Sequence, residues 1–407
     1  MTAVIKPSRL RGTVAAPSSK SDIQRIAICS MLSDRPTKII HNSGADDVKA
    51  VFACLRSLGA DICDAPDGTT VIPGKCPDSV SLFCGESGAV SRFLTPVASA
   101  LCGDVTVDGL PGLRKRPFTE LISVIGRHGV TADSDTLPFR LSGRLTPGEY
   151  RIRGDISSQY ISGLLMALPT LGGPSVIKVE GEITSAGYIE MTMSTMRKFG
   201  VYTEKNGNVF SVNPSEYVSP EMIVSEGDWS GAAYILACGG DVSVSGLDPA
   251  SLQRDRRIAD ILSSVRRLSG DLLTVDVSDI PDLVPAIAAS AASCGGTVRM
   301  INAGRLRIKE SDRLETTRST LGAIGADISA DSDSMTVRGV PSLHGAVIES
   351  HGYHRIVMAA AAACASVTER GAFDGELIIT GAEAINKSYP DFFEHYKALG
   401  GNVRYEL

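Results

Sequence analysis

One pattern recurs six times along the chain: a helix end, an apolar residue, a glycine, then a strand. The copies are Leu55-Arg-Ser-Leu-Gly59, Ile125-Gly-Arg-His-Gly129, Met196-Arg-Lys-Phe-Gly200, Val265-Arg-Arg-Leu-Ser-Gly270, Leu321-Gly-Ala-Ile-Gly325 and Tyr396-Lys-Ala-Leu-Gly400. Their glycines lie 70, 71, 70, 55 and 75 residues apart. Glycine suits the left-handed residue that ends a helix. Several copies then read as a hairpin, as in Asp327 to Val337 around Ser332-Asp333-Ser334. A second marker keeps the same phase. Helices rich in Ala, Leu, Ile and Gly begin at Ser19-Lys-Ser-Asp, Glu86-Ser-Gly-Ala, Ser157-Ser-Gln-Tyr, Asp228-Trp-Ser-Gly, Ile280-Pro-Asp-Leu and Tyr353-His-Arg-Ile. Apolar residues cover nearly every face of these helices, so they are predicted to be buried on all sides. Repetition at this period means units that stack. The expectation is an α/β (α+β) chain of six β-α-β-α-β-β units, three to a domain, with the middle boundary near Val224-Ser-Glu-Gly227. A length of 407 residues accommodates two such domains.

Buried helices that open on Ser, Asp and Gly turns offer unpaired N–H groups and the positive end of the helix dipole. Several such ends meeting would hold an anion, so a phosphate- or carboxylate-bearing substrate is expected. Cations cluster at the same points. Lys20 and Arg25 fall in the first turns of one helix, where a positive charge is unfavourable unless an anion offsets it. The small residues of Gly85-Glu-Ser-Gly-Ala89 permit close backbone approach. Arg114-Lys-Arg116 precedes Pro117, and such a run is most often a solvated loop. Alternation places Arg305, Arg307 and Lys309 on one face of an expected extended segment, followed by Glu310, Asp312 and Arg313. His354-Arg355 opens a further helix, and Lys387 lies on a loop.

Composition narrows the function. A formal net charge of −6 gives no global basic field for nucleic acid. Nine cysteines, an odd number without a C-x-x-C pair and mostly in apolar surroundings, fit reduced thiols in a cytoplasmic protein. Met1 to Gly12 carries no apolar signal core, and no apolar run reaches membrane-spanning length. The six histidines show no metal-ligand spacing, and neither a P-loop nor a Rossmann fingerprint is present. No cofactor and no metal are expected.

The carrying motifs are Pro17-Ser-Ser-Lys-Ser-Asp-Ile-Gln-Arg25, Cys84-Gly-Glu-Ser-Gly88 to Arg92, Arg114-Lys-Arg-Pro117, Asp155-Ile-Ser-Ser-Gln-Tyr160, Leu306-Arg-Ile-Lys-Glu-Ser-Asp-Arg313 and His354-Arg355. Over essentially its whole length the chain resembles the 5-enolpyruvylshikimate-3-phosphate synthases, a branch of the enolpyruvyl transferases. The resemblance implies a two-domain inside-out α/β barrel hinged around a cleft that holds the active site. One domain would span residues 14–226, and the other residues 1–13 plus 227–407. It implies transfer of an enolpyruvyl group from phosphoenolpyruvate to the 5-hydroxyl of shikimate 3-phosphate by a cytoplasmic monomer.

The same resemblance assigns residues. Lys20, Gly88, Arg116, Gln159, Arg313, Arg355 and Lys387 match positions that hold phosphoenolpyruvate. Ser21, Arg25, Ser157, Ser158, Gln159, Ser185 and Tyr188 match those holding shikimate 3-phosphate. Asp282 and Lys309 match the pair around the attacking hydroxyl, Glu310 the acid beside the methylene, and Lys20 a further catalytic cation. Ser18, Gln24, Glu86, Ala89, Arg305 and Tyr353 depart from the commonest family pattern. Two alternatives share the fold: the sister transferase acting on UDP-N-acetylglucosamine, and a binding protein without turnover. The first usually carries a reactive loop cysteine where this chain has Arg114-Lys-Arg116. The second is disfavoured by the intact set Asp282, Lys309, Glu310 and Lys387.

Overall fold

In the computed structural model, residues 1–308, 312–369 and 371–406 are described. The chain divides into two compact units, one continuous (Lys20–Ser225) and one split (Met1–Ser19 with Glu226–Leu407). Each has its own hydrophobic core.

The continuous unit contains three four-stranded sheets. The second and third follow one rule: a parallel pair joined through a buried helix, then two antiparallel neighbours closed by a hairpin. In the second copy, Ser79–Phe83 leads through the helix Gly88–Leu101 to Asp104–Asp108. Only Val80 and Leu82 of the first strand are buried, so one face of the sheet packs inward and the other meets solvent. The helices Lys20–Met31, Gly88–Leu101 and Ser158–Ala167 are buried along nearly their whole length. Helices inside and sheets outside reverse the usual barrel, as the apolar surround of these helices requires. They approach closely: a Cβ built at Gly163 would lie 2.6 Å from the Arg92 carbonyl oxygen and 2.9 Å from Pro96. The opening strand of the first copy comes from the unit's far end, where Met222–Val224 pairs in parallel with Thr37–Ile40.

The split unit borrows strands in the same way. Thr2–Lys6 lies antiparallel between Leu377–Thr380 and Asn402–Glu406, and Gly12–Ala15 runs parallel to Val242–Ser245. All thirteen residues of the helix His354–Ser366 are buried. One expectation needs correction here. The fourth copy has no closing hairpin, because the chain passes from Gly270 directly into the strand Leu272–Asp276 of the next copy. Its sheet is the two-stranded pair of Gly12–Ala15 and Val242–Ser245. That omission accounts for the short 55-residue glycine spacing. The six repeat glycines all adopt positive φ, between +77° and +97°.

The extended segment expected at Arg305 to Lys309 is also corrected. The strand Thr297–Ile301 stops at Asn302, whose φ is +60°, and Gly304–Ile308 winds into a 3-10 helix. Alternating charges imitated a strand period, but the buried apolar pair Ala303 and Leu306, three residues apart, sets a helical turn. Arg307 turns away to Asp312 Oδ2 (2.6 Å) and to the carbonyls of Asp331 and Ser332. Lys309, along with Glu310, lies outside the described residues.

Candidate active site

In the continuous unit, side-chain hydrogen bonds join the first turns of the three buried helices. Gln24 Nε2 donates to Ser87 Oγ (3.2 Å) and to the Asp47 carbonyl (3.2 Å). Arg92 Nη1 donates to Gln159 Oε1 at 2.7 Å. Caps fix the starts: Ser87 Oγ accepts from Val90 N and Ser157 Oγ from Gln159 N. Cations surround these ends. Lys20, the first residue of its helix, pairs with Asp47 at 2.9 Å, and both side chains are largely buried. The pair offsets the unfavourable meeting of a cation with a helix N-terminus. Arg25 is only 2% exposed. It donates from Nε to Thr192 Oγ1 (2.8 Å), from Nη1 to the Ser21 carbonyl (2.6 Å) and from Nη2 to the Tyr188 carbonyl (3.1 Å). Its guanidinium lies over the rings of Phe93 and Tyr188. Ser158 is buried, and Ser185 begins the helix Ala186–Lys198 in a left-handed conformation, φ +55°.

The run Arg114-Lys-Arg116 separates by role. Arg114 makes an exposed two-pronged pair with Asp108 (2.9 and 2.8 Å), and Lys115 is exposed. Arg116 turns inward, where its Nε and Nη2 are shielded from solvent without a hydrogen-bond partner among the described residues. Buried guanidinium donors left this way are costly and suit a two-pronged carboxylate or phosphate. Arg116 stands against Gly88: a Cβ built there would collide with Nη1. Glu86 Oε1 accepts from Gly112 N at 3.0 Å and so ties down the loop that carries Arg116.

In the split unit the centre is Asp282, on the 3-10 turn Pro281–Leu283. Its Oδ1 accepts from Arg313 Nη1 at 2.6 Å, and its Oδ2 pairs with Arg355 Nη2 at 2.9 Å. The Tyr234 hydroxyl donates to the Asp282 carbonyl at 3.0 Å. Arg355 Nη1 donates to Ser230 Oγ (2.9 Å) and to the same carbonyl (3.3 Å), while its shielded Nε has no partner among the described residues. Burial acts to lower the pKa of Arg355, but Asp282, Tyr234 and Tyr353 outweigh it and hold the group well above its ordinary value. Burial pushes Tyr234 up to about 12. The Arg313 guanidinium lies 5.0 Å over the buried Tyr353 ring. Lys387 ends the turn Ala382–Lys387 and is half-buried.

The structure therefore gathers Lys20, Ser21, Arg25, Gly88, Arg116, Ser157, Ser158, Gln159, Ser185 and Tyr188 in the continuous unit. It places Asp282, Arg313, Arg355 and Lys387 in the split one. Among the described residues, no group of three or more His, Cys, Asp or Glu is placed to hold a metal ion, and no helix is long and apolar enough to cross a membrane. Sequence reasoning missed Asp47, Ser230 and Tyr234. Asp47 sits in a charged stretch whose buried members cannot be told from solvated ones. Ser230 and Tyr234 lie on the helix that opens at Asp228-Trp-Ser-Gly, a polar start in which nothing local marks these two side chains.

Residues 4–396 match the family model described as EPSP synthase (3-phosphoshikimate 1-carboxyvinyltransferase). A 3-phosphoshikimate 1-carboxyvinyltransferase of Clostridium kluyveri is 36% identical over 423 residues, covering 98% of this chain and 97% of its own. The protein of the same name from Clostridioides difficile is 35% identical over 434 residues, with the same coverage of 98% and 97%. Among solved structures, an EPSP synthase from Acinetobacter baumannii aligns with a TM-score of 0.80 at 22% identity, covering 99% of this chain and 100% of that one. The enolpyruvyl transferase NikO from Streptomyces tendae aligns with a TM-score of 0.76 at 16% identity, covering 99% and 98%. At these identities the structural likeness is one of fold.

Proposed function

The chain belongs to the EPSP synthase (3-phosphoshikimate 1-carboxyvinyltransferase) family, and from that membership we propose how its residues carry the reaction. The enzyme transfers the enolpyruvyl group of phosphoenolpyruvate to shikimate 3-phosphate and releases phosphate. Shikimate 3-phosphate is assigned to the continuous unit, on Ser21, Arg25, Ser157, Ser158, Gln159, Ser185 and Tyr188. Arg25 frames this half-site: its donors lock the Ser21 and Tyr188 backbones, and its buried charge favours the anionic ring substituents. Phosphoenolpyruvate is assigned to Lys20, Gly88, Arg116 and Gln159 together with Arg313, Arg355 and Lys387. The observation that carries this assignment is the inward Arg116, held against Gly88 with two shielded donors that have no partner among the described residues.

The acceptor hydroxyl must lose its proton as its oxygen bonds to the central carbon of phosphoenolpyruvate, while the methylene carbon gains one. Asp282 and Lys309 flank that hydroxyl as base and stabilising cation, and Glu310 supplies and later recovers the methylene proton. The central carbon becomes positive, and the fixed carboxylate of Asp282 favours that charge. Lys20, Arg116 and Lys387 stabilise the departing phosphate. Arg313 and Arg355 grip the carboxylate and hold Asp282 in register.

Phosphorus NMR of the full chain with both substrates should show free phosphate and a new phosphomonoester. Asp282→Asn, which keeps the shape and removes the charge, should lower kcat about a hundredfold or more while calorimetry still detects both substrates. Bound substrates without phosphate release from the natural chain would point to another acceptor. A natural rate in the Asp282→Asn variant would remove Asp282 from the role of base.

A further inference from the structure

Arg92 stands one turn into the helix Gly88–Leu101, and Gln159 is the second residue of the helix Ser158–Ala167. The two backbones come together at Gly163, one turn beyond Gln159, where a Cβ would collide with the Arg92 carbonyl. The spacing between the two side chains is therefore set by main chain. Arg92 Nη1 donates to Gln159 Oε1 at 2.7 Å. Two buried rings flank the guanidinium, Phe118 with its centroid 5.7 Å away and Tyr160 at 5.4 Å. The Tyr160 ring is itself fixed, because its hydroxyl donates to the Pro117 carbonyl at 2.8 Å. Ring faces hold a guanidinium without taking any of its N–H donors.

We propose that Arg92 is a positioning residue for Gln159: by engaging the amide oxygen it turns the amide NH2 toward the substrates as a fixed donor for their anionic oxygens. The inference rests on the assignment of Gln159 to both substrates made above. An arginine side chain carries donors only, so the amide atom that faces it must be the oxygen. The NH2 group then occupies the other arm of the amide.

A glutamine amide has two orientations that differ by half a turn. One offers a phosphate or carboxylate two donors, and the other offers it an acceptor, which repels it. Arg92 selects the first before any ligand arrives, which removes an ordering cost from binding. Its bond to Oε1 is charge-assisted and so stronger than a neutral one. The guanidinium keeps its charge throughout the working range, so the setting does not titrate. The same orientation disfavours ligands that bring an amine or another donor to this point.

The test measures calorimetric binding of shikimate 3-phosphate and the KM for phosphoenolpyruvate in the full chain. The variants are Arg92→Met, Arg92→Lys, Gln159→Ala and the double variant Arg92→Met with Gln159→Ala. Arg92→Met keeps an unbranched stem between the rings and removes the donors, so both affinities should fall about tenfold. Arg92→Lys keeps a charge and a donor and should recover most of that loss. Gln159→Ala should weaken both substrates by a similar factor, and the double variant no further, because each change breaks the same link. The inference is overturned if Arg92→Met binds both substrates as the natural chain does, or if the Arg92→Met and Gln159→Ala effects simply add. Natural affinities in Gln159→Ala remove Gln159 from the substrate site, whereas a weakened Gln159→Ala beside a natural Arg92→Met removes Arg92 alone. The chain has three glutamines, Gln24, Gln159 and Gln253, so nitrogen-15 NMR of glutamine-labelled protein can identify the Gln159 NH2 pair by its loss in Gln159→Ala. Adding shikimate 3-phosphate to the natural chain should shift that pair. A pair that stays in place overturns the proposal even if Arg92→Met fails to fold.

Discussion

At the scale of single residues, the site is shaped as much by what is missing as by what is charged. Gly88 opens its helix with no side chain because Arg116 Nη1 occupies the place a Cβ would take. Gly88→Ala must therefore push the guanidinium aside. The expected result is a KM for phosphoenolpyruvate raised about tenfold or more, with calorimetric binding of shikimate 3-phosphate unchanged; equal loss of both would contradict the division of the site. Glu86 and Tyr353, which depart from the common family pattern, acquire a reason here. Glu86 anchors the Arg116 loop through Gly112 N. Tyr353 lays a buried ring under Arg313, so that arginine meets an aromatic face as well as the Asp282 carboxylate. Nothing in the structure explains why Ala stands at position 89.

At the scale of elements, the six repeat glycines do the same work in different surroundings. Each terminates a helix at positive φ, where an L side chain is strained by about 1–2 kcal/mol. Gly270 faces open space, whereas a Cβ on Gly59 would strike the Lys75 carbonyl. Urea unfolding should accordingly find Gly270→Ala destabilised by about 1–2 kcal/mol, and Gly59→Ala by clearly more. Equal losses would mean that the Lys75 backbone yields freely. The helix starts rest on a shared device. Ser87, Ser157, Asp228 and Asp312 each accept a backbone N–H from the first turn they precede, an arrangement worth about 1 kcal/mol per cap. Those caps also set the direction in which the N-termini present their remaining donors.

For the whole molecule, the division into units has a mechanical consequence. The continuous unit owns every strand of its three sheets and a complete core. The split unit depends on the first residues of the chain, because Thr2–Lys6 is the inner strand between Leu377–Thr380 and Asn402–Glu406. Residues 20–225 produced alone should fold cooperatively and bind shikimate 3-phosphate, while residues 226–407 alone should not fold, and should recover when residues 1–19 are fused to their C-terminus. The only Trp, Trp229, belongs to the split unit and is buried. Its fluorescence should follow that unit's unfolding, and shikimate 3-phosphate should raise the midpoint seen by circular dichroism without moving the tryptophan transition. Coincident transitions under both probes would show the units unfolding as one.

The sequence by itself determined the repeat, the buried helices and the basic clusters at their starts, because those signals are local: a glycine after a helix, an apolar surround, a cation before a first turn. The resemblance carried over whole-chain motifs and with them the reaction. Local signals misled where two periods were superimposed, as at Gly304–Ile308, where charges alternate but Ala303 and Leu306 fix a 3-10 turn. The short 55-residue glycine spacing is the one trace in the sequence of the hairpin that the fourth copy lacks. Only the tertiary structure decided which charges leave water. Arg114 and Arg116 are two residues apart, yet one is solvated and the other shielded. Asp255 stands among the exposed Arg254, Arg256 and Arg257 and is itself buried. Burial depends on what the rest of the chain packs against a residue, so a charge whose partners are distant in sequence carries no local mark of its role.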